Sequence, residues 1–476
     1  MKYFYRNFSA ILLLAYAFSP ILFVSTAFAK ESVAPAINQA HLVSVAKRIT
    51  TAYSDLGWFN GTILVAKNGK PIFEASYGLA DREDSIPNQL DTKYNLGSIM
   101  KHYTAVLVLQ KVEDGTLSLD DTLETFRLGF PQNIAGRITV RQLLHHRSGF
   151  ADIFTADYRE NQLAFDTIDK KLTLLKNAPL IAEPDSKFHY SNYGYVVLGA
   201  ILEKATGQSF ESLLKRNIFN KLGLQNSVYP YNTATTNQSL RYTFNHAGEQ
   251  KLVGVTEHHS PDGGIEATVS DVLAFYRALF YSDRLLSSQQ QTIREYFAID
   301  GKHWAAFGGG AGVSTAVELD LENSYQIVVL ANSDNLVAEL ISGRIYSYIK
   351  SGSYENIALP PHTYAWKKYK EMPLSSFKAD FGAVYKADGY TQFLGRTLNE
   401  LGMALVNNQQ WAEAFDIFNT LVAAYPGAPQ VYDSLAFASF QKGDTKQAAL
   451  TFKKALAIQA DFSSDYKADN YGTNSP

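Results

Sequence analysis

The chain of 476 residues contains no cysteine. That absence excludes disulfides, thiol catalysis, zinc–thiolate sites and lipidation of a cysteine behind a leader peptide. There is no basic excess either: 43 Lys and Arg stand against 46 Asp and Glu, a formal net charge of −3, with no dense Lys/Arg run. Nucleic acid is therefore not an expected partner. Long apolar runs are also scarce. The one that nears spanning length, residues 11–24, lies behind Lys2 and Arg6 and is followed by Ala27-Phe28-Ala29. A positive start, an apolar middle and a small-x-small site predict a signal peptide over 1–29, cleaved after Ala29. An uncleaved membrane anchor is the alternative. Loss of Lys2 and Arg6 takes the net charge from −3 to −5. A leader without cysteine points to a periplasmic protein with no stable membrane span after cleavage. Histidine is sparse as well. Of the pairs His145-His146 and His258-His259, the second has no third ligand at metal spacing. They read as core or surface residues, and no metal or other cofactor is predicted.

What is present is apolar bulk, 46% of the residues, enough for two or three domains with cores. A helix is predicted over 38–55, then strands over 62–67 and 70–77 joined by Asn68-Gly69. Asn-Gly between such runs is the strongest short hairpin signal, because both turn residues must accept positive φ. A mostly helical middle covers 138–222 and 268–282, strands return over 313–321 and 324–332, and a helix over 336–350 follows. Strands at both ends with helices between predict an α+β fold: one antiparallel sheet flanked by helices, plus a helical subdomain, over 38–350. Residues 351–391 have no clean period and read as a connector. Beyond it, Leu401, Ala404, Ala414 and Phe418 recur 34 residues later as Leu435, Ala438, Ala448 and Phe452. That period resembles two tetratricopeptide repeats over 392–463, a small all-α module able to take a protein partner. A plain helical hairpin is the alternative. Two repeats are few for independent stability, so they are expected to pack on the connector or on the larger domain. The polar tail, 464–476, is predicted to be disordered.

Ser98 and Lys101 carry the chemistry. They lie in Gly97-Ser98-Ile99-Met100-Lys101, where an extended stretch gives way to the apolar run 105–109. Residues three apart share a helix face, so hydroxyl and amine point the same way. A serine becomes a nucleophile when a neighbouring base takes its proton, and burial can fit a lysine for that task. A helix N-terminus would add unpaired N–H groups beside the serine oxygen. Ser-x-x-Lys occurs seven times in the chain, so spacing alone does not select Ser98. Its setting before a helix buried on all sides does. A second constellation is Phe188-His189-Tyr190-Ser191-Asn192-Tyr193-Gly194-Tyr195. A tyrosine near an ammonium serves as general base or acid, and Asn192 offers a donor and an acceptor together. Tyr193 and Tyr195 read as core or wall.

Together these blocks resemble the serine β-lactamase and penicillin-binding-protein superfamily, in its class C-like branch with D,D-carboxypeptidases, D-amino-acid peptidases and esterases. The resemblance spans about 45–350. It is carried by Tyr94 through Asp121 around Ser98, by Ile138 through Gly149, by Pro184 through Gly194, and by Gly263-Gly264-Ile265-Glu266-Ala267-Thr268. It implies that Ser98 attacks a carbonyl and is acylated, that Lys101 shares its proton, that Tyr190 passes it to the leaving group, and that Asn192 holds the geometry. The Ser98 N–H would form half of an oxyanion hole, worth about 3–4 kcal/mol per donor in related chemistry. The family's third motif places a Lys or His, a small residue and Gly on a strand lining the cleft. Here the matching stretch is Trp304-Ala305-Ala306-Phe307-Gly308-Gly309-Gly310-Ala311-Gly312. Phe307, or Ala306 with a one-residue shift, takes the cationic position, and His303 comes too early. Phe307, Gly308 and Gly309 are the substrate-binding candidates, and the Gly310 N–H is the expected second oxyanion donor. The expected activity is a metal-independent serine hydrolase acting through an acyl-enzyme on small-molecule or peptide esters or amides (esterase, D-amino-acid peptidase or β-lactamase-like), with the missing cation shifting weight towards substrates without a free carboxylate. The rival is a catalytically silent relative that binds a partner through its cleft or repeats.

Overall fold

The computed structural model describes residues 38–229, 237–245, 247–254, 257–287, 295–296, 301–334 and 336–466. The leader expected over 1–29 and the last ten residues of the expected tail, 467–476, lie outside them. The described residues fall into two compact units, one of 38–244 and 250–357, the other of 358–466 with the turn near 245–249.

In the larger unit, helix α1 (Gln39–Asp55) starts at Asn38, whose side chain accepts from His41 N. It buries Leu42, Val45, Ala46, Ile49 and Tyr53, one apolar stripe at helical spacing. Strands β1 (Gly61–Lys67) and β2 (Lys70–Tyr77) form the expected hairpin. Asn68 and Gly69 turn it with φ of 52° and 75°. The remaining sheet strands come from the far end of the unit: β3 (His303–Gly310), β4 (Val313–Asp320) and β5 (Tyr325–Ala331). The order β2-β1-β5-β4-β3 is antiparallel throughout, so β3 is an edge.

Every residue of β4 and β5 is buried, since the sheet has cover on both faces. One face, with Leu64, Ala66, Val317, Leu319, Val328 and Leu330, joins the main core. The sheet also packs against α1 and against the helix over Val337–Ser351. Helix α2 (Met100–Glu113) runs through the main core and is buried from Tyr103 to Leu109, as its unbroken apolar run requires. Helix α3 (Asn192–Thr206), capped by Ser191, and α4 (Val269–Tyr281), capped by Thr268, complete that core. Among the described residues no helix is long and apolar enough to cross a membrane.

The smaller unit is helical. The segment 351–391, read from sequence as a connector, contains two helices, Pro361–Glu371 and Leu374–Ala387. Their apolar positions are aromatic. Tyr364, Trp366, Phe377, Phe381 and Tyr385 share one core cluster with Leu398, Leu401 and Phe418. A few large rings replace the regular aliphatic stripe that marks a helix in sequence. Helices Leu394–Asn407, Trp411–Ala424, Pro429–Gln441 and Thr445–Ile458 follow. Gly402 lies under the Phe418 ring, close enough that a Cβ there would fall 2.6 Å from it. Past the last helix, Ser464 and Asp465 bond to Asp433, so the first residues of the expected disordered tail are held.

Candidate active site

Leu96 enters the site hydrogen-bonded through its N–H to Ile265 O and through its carbonyl to Thr315 Oγ1. Gly97 turns with φ +50° and donates to Asn95 Oδ1 at 2.9 Å. Ser98 sits in the 3-10 turn Gly97–Ile99 that leads into α2, and Lys101 in the first turn of α2. Edge strand β3 crosses directly over this turn. A Cβ at Gly308 would overlap the Leu96 carbonyl oxygen and come within 2.5 Å of Thr315 Oγ1. A Cβ at Gly97 would lie 2.9 Å from Gly309 N. The glycines are there because backbone meets backbone with no room for a side chain between. Gly310 lies one step further, opposite Val313 at the turn of the hairpin. The backbone nitrogen nearest to a Cβ at Gly97 is that of Gly309.

Lys101 is 4% exposed. Its Nζ reaches Ser98 Oγ at 3.1 Å, Asn192 Oδ1 at 2.7 Å and the Asp262 carbonyl at 2.6 Å. Three acceptors around one nitrogen match the three N–H bonds of an ammonium. A neutral amine would keep two N–H bonds for the two closer partners, Asn192 and Asp262, and turn its lone pair to the Ser98 hydroxyl. The cage therefore fits both protonation states, as a proton carrier requires. Tyr190 OH donates to Ser98 Oγ at 2.8 Å, and its ring centre lies 5.0 Å from Nζ. The four residues singled out in sequence, Ser98, Lys101, Tyr190 and Asn192, converge on one point.

A cleft of about 440 Å³ opens over them. Its walls include Phe188, Tyr195, Tyr296, Trp304, Phe307 and three histidines. Phe307 and Phe188 are 47% and 56% exposed, two large rings left open at the cleft. Gly308, Gly309 and Gly310 are not among the lining residues, and Ala306 is buried but reaches the wall. His303 pairs instead with Glu318 at 2.8 Å and stacks on Tyr346.

Both members of the His145-His146 pair, read from sequence as core or surface, line the cleft. His146 has φ +53°, stacks on Tyr190 at 4.4 Å between ring centres, and accepts from Ser191 N at 3.2 Å. Burial, helped by the Lys101 charge, holds its pKa down at about 3. The same two causes hold His102 at about 3. Its Nδ1 lies 2.6 Å from Tyr276 OH. Burial also lowers His145. For all three the shift favours the neutral imidazole at ordinary pH, and Lys101 supplies the one amine among the described lining residues. Asp152, which sequence reading passed over, accepts from Asn192 N at 2.9 Å and from Asn192 Nδ2 at 3.1 Å. Nothing in the spacing of residue 152 relative to 192 signals that contact. No group of three or more metal-type side chains gathers among the described residues.

Residues 46–345 match the family model described as Beta-lactamase. Penicillin-binding protein 4* of Bacillus subtilis (strain 168) is 28% identical over 271 residues, 52% of this chain and 58% of its own length. The chain thus spans little more than half of that relative. Among solved structures, EstCE1, a hydrolase with promiscuous acyltransferase activity, superposes with a TM-score of 0.56 at 22% identity, covering 67% of this chain and 99% of its own. D-amino acid amidase from Ochrobactrum anthropi SV3 superposes with a TM-score of 0.56 at 21% identity, covering 66% and 99%.

Proposed function

The chain belongs to the beta-lactamase family of penicillin-binding-protein-like serine hydrolases, and on that premise we propose that it hydrolyses uncharged esters or amides through an acyl-enzyme on Ser98. One observation carries the reading: Ser98 Oγ lies within hydrogen-bond reach of both Lys101 Nζ and Tyr190 OH, at 3.1 and 2.8 Å. In the proposed reaction Ser98 Oγ bonds to the substrate carbonyl carbon as its proton passes to the lone pair of the neutral Lys101 amine. The carbonyl oxygen, now negative, takes hydrogen bonds from the Ser98 N–H and from a second N–H of the β3 glycine run, that of Gly310 or of Gly309, whose nitrogen borders Gly97. Tyr190 delivers the proton to the departing alkoxide or amine. Water then adds to the acyl carbon as its proton passes to the Lys101 amine, the tetrahedral oxyanion re-forms the carbonyl, and the bond to Ser98 Oγ breaks as that oxygen takes the proton back from Lys101.

The substrate class follows from charge. A carboxylate-bearing substrate needs a cation to hold it, and the cleft presents neutral imidazoles and exposed rings where one would stand. Aromatic walls favour an apolar acyl or leaving group. The amidase and the hydrolase named above are the chemistries nearest to this reading. We further read the helices over 394–458 as two tetratricopeptide-like repeats for a protein partner. The leader is read as delivering the protein to the periplasm, which the mass of the mature N-terminus tests.

The test is fluorophosphonate labelling of the full chain beside Ser98→Ala and Lys101→Met, with a panel of neutral aryl esters, D-amino-acid amides and β-lactams. Labelling should vanish in Ser98→Ala and fall by at least 100-fold in Lys101→Met. Equal labelling of wild type and Ser98→Ala sinks the enzyme reading and leaves the silent binder.

A further inference from the structure

We propose that Asp152 is a positioning residue that sets which way round the Asn192 amide sits, keeping its oxygen and not its NH2 against Lys101. The proposal rests on the hydrolase reading of Ser98 and Lys101. Residues 151–153 clasp the start of α3. Ala151 O accepts from Ser191 Oγ at 2.9 Å. Asp152 Oδ1 accepts from the backbone N–H groups of Asn192 and Ile153, at 2.9 and 2.8 Å. Asp152 Oδ2 accepts from Asn192 Nδ2 at 3.1 Å.

A carboxylate offers acceptors at both ends, whereas an amide has one acceptor end and one donor end. With its NH2 committed to Asp152, Asn192 has only its oxygen left to face Lys101 Nζ, which it meets at 2.7 Å. Turned over, the same amide would press an NH2 against an ammonium. Asn192 is 7% exposed, so no bulk solvent mediates the choice.

A cap for the α3 N-terminus is the competing role, and two substitutions separate them. In Asp152→Asn the new oxygen is drawn to the two backbone N–H groups, because they are fixed donors. The new NH2 then faces the Asn192 NH2, and Asn192 must turn over. In Asp152→Ala the Asn192 NH2 loses its partner but remains free to keep its oxygen on Lys101. A cap predicts that Ala is the worse substitution; a positioning residue predicts that the isosteric Asn is worse at the site.

Two readouts apply to the full chain. The first is the rate of fluorophosphonate labelling of Ser98. The second is the titration midpoint of Lys101 followed by NMR with 15N-labelled lysine, which needs no turnover and so stands whether or not the hydrolase reading does. Both substitutions remove the Asp152 carboxylate charge, so Asp152→Ala reports that common effect and the excess in Asp152→Asn reports the turned amide. The Tyr190 and Tyr195 rings, the neutral His102 and His146, and the Asp262 carbonyl around Lys101 are unaltered. Asp152→Asn should slow labelling at least tenfold and lower the Lys101 midpoint by about one unit or more, since an acceptor is exchanged for a donor. Asp152→Ala should shift both by less. Adding Asn192→Asp to Asp152→Asn returns an acceptor to Lys101 and should restore the midpoint. An unchanged midpoint in Asp152→Asn, or an equal fall in Asp152→Ala, overturns the proposal.

Discussion

Gly308→Ala tests whether the close crossing of β3 over the Ser98 turn builds the site. The added methyl would overlap the Leu96 carbonyl oxygen and lie 2.5 Å from Thr315 Oγ1 and 3.0 Å from the Leu96 carbonyl carbon. Two of these three atoms are backbone, so no side-chain rotation relieves the clash. Strand β3 must lift by roughly 1 Å, and overpacking of this kind costs about 1–3 kcal/mol. For a unit of this size that is a fall of roughly 2–10 °C in Tm. The same lift carries the N–H groups of the β3 glycine run away from the proposed oxyanion position, and a displacement of about 1 Å at a reacting centre costs on the order of 100-fold in rate. Gly309→Ala is the control for stability, because its Cβ would meet only Val313 O, at 3.9 Å. The assay is thermal melting beside the fluorophosphonate labelling rate. If Gly308→Ala melts and labels like wild type, the backbone crossing is not what shapes the site.

Acidification should destabilise the larger unit through His102 and His146, half-buried imidazoles held neutral at the cleft. His102 and His146 have folded pKa values of about 3, below the unfolded value, so their contribution is intact above pH 6.5 and is lost between pH 6.5 and 3. At pH 5 each costs roughly 2 kcal/mol. Asp334 and Glu339, whose carboxyl pKa values burial raises, act in the opposite sense. The measurement is therefore a difference: His146→Phe should shrink the stability lost from pH 7 to pH 5 by about 2 kcal/mol in denaturant melts, and an unchanged loss refutes the assignment. Phe307→Lys supplies the cation that the cleft wall lacks. It should raise kcat/KM for a carboxylate-bearing aryl ester relative to its neutral twin by roughly tenfold, about 1.4 kcal/mol. No change in that ratio would remove Phe307 from substrate selection.

Some of this was legible in the chain before any fold was drawn. The hairpin at Asn68-Gly69 and the buried helix after Ser98 follow from local rules of backbone sterics and apolar spacing. Ser98 and Lys101 are three residues apart, so a helix alone brings them together. Tyr190 and Asn192 came as a motif, and they join Ser98 and Lys101 at hydrogen-bond distance. The two helices within 351–391 were not legible, because rings spaced irregularly cover as much surface as a regular aliphatic stripe.

What sequence alone determined is the chemistry carried by neighbours along the chain: a hydroxyl and an amine on one helical turn, with no thiol to compete. What only the tertiary structure decided is everything that depends on segments meeting across the fold. Asp152 turns the Asn192 amide from 40 residues away. His146 stacks on Tyr190, and Gly309 borders Gly97 only because an edge strand from the far end of the unit lies over the Ser98 turn. Periodicity reports which face of an element is buried. It does not report what lies against that face, because that contact is set by the packing of the whole unit.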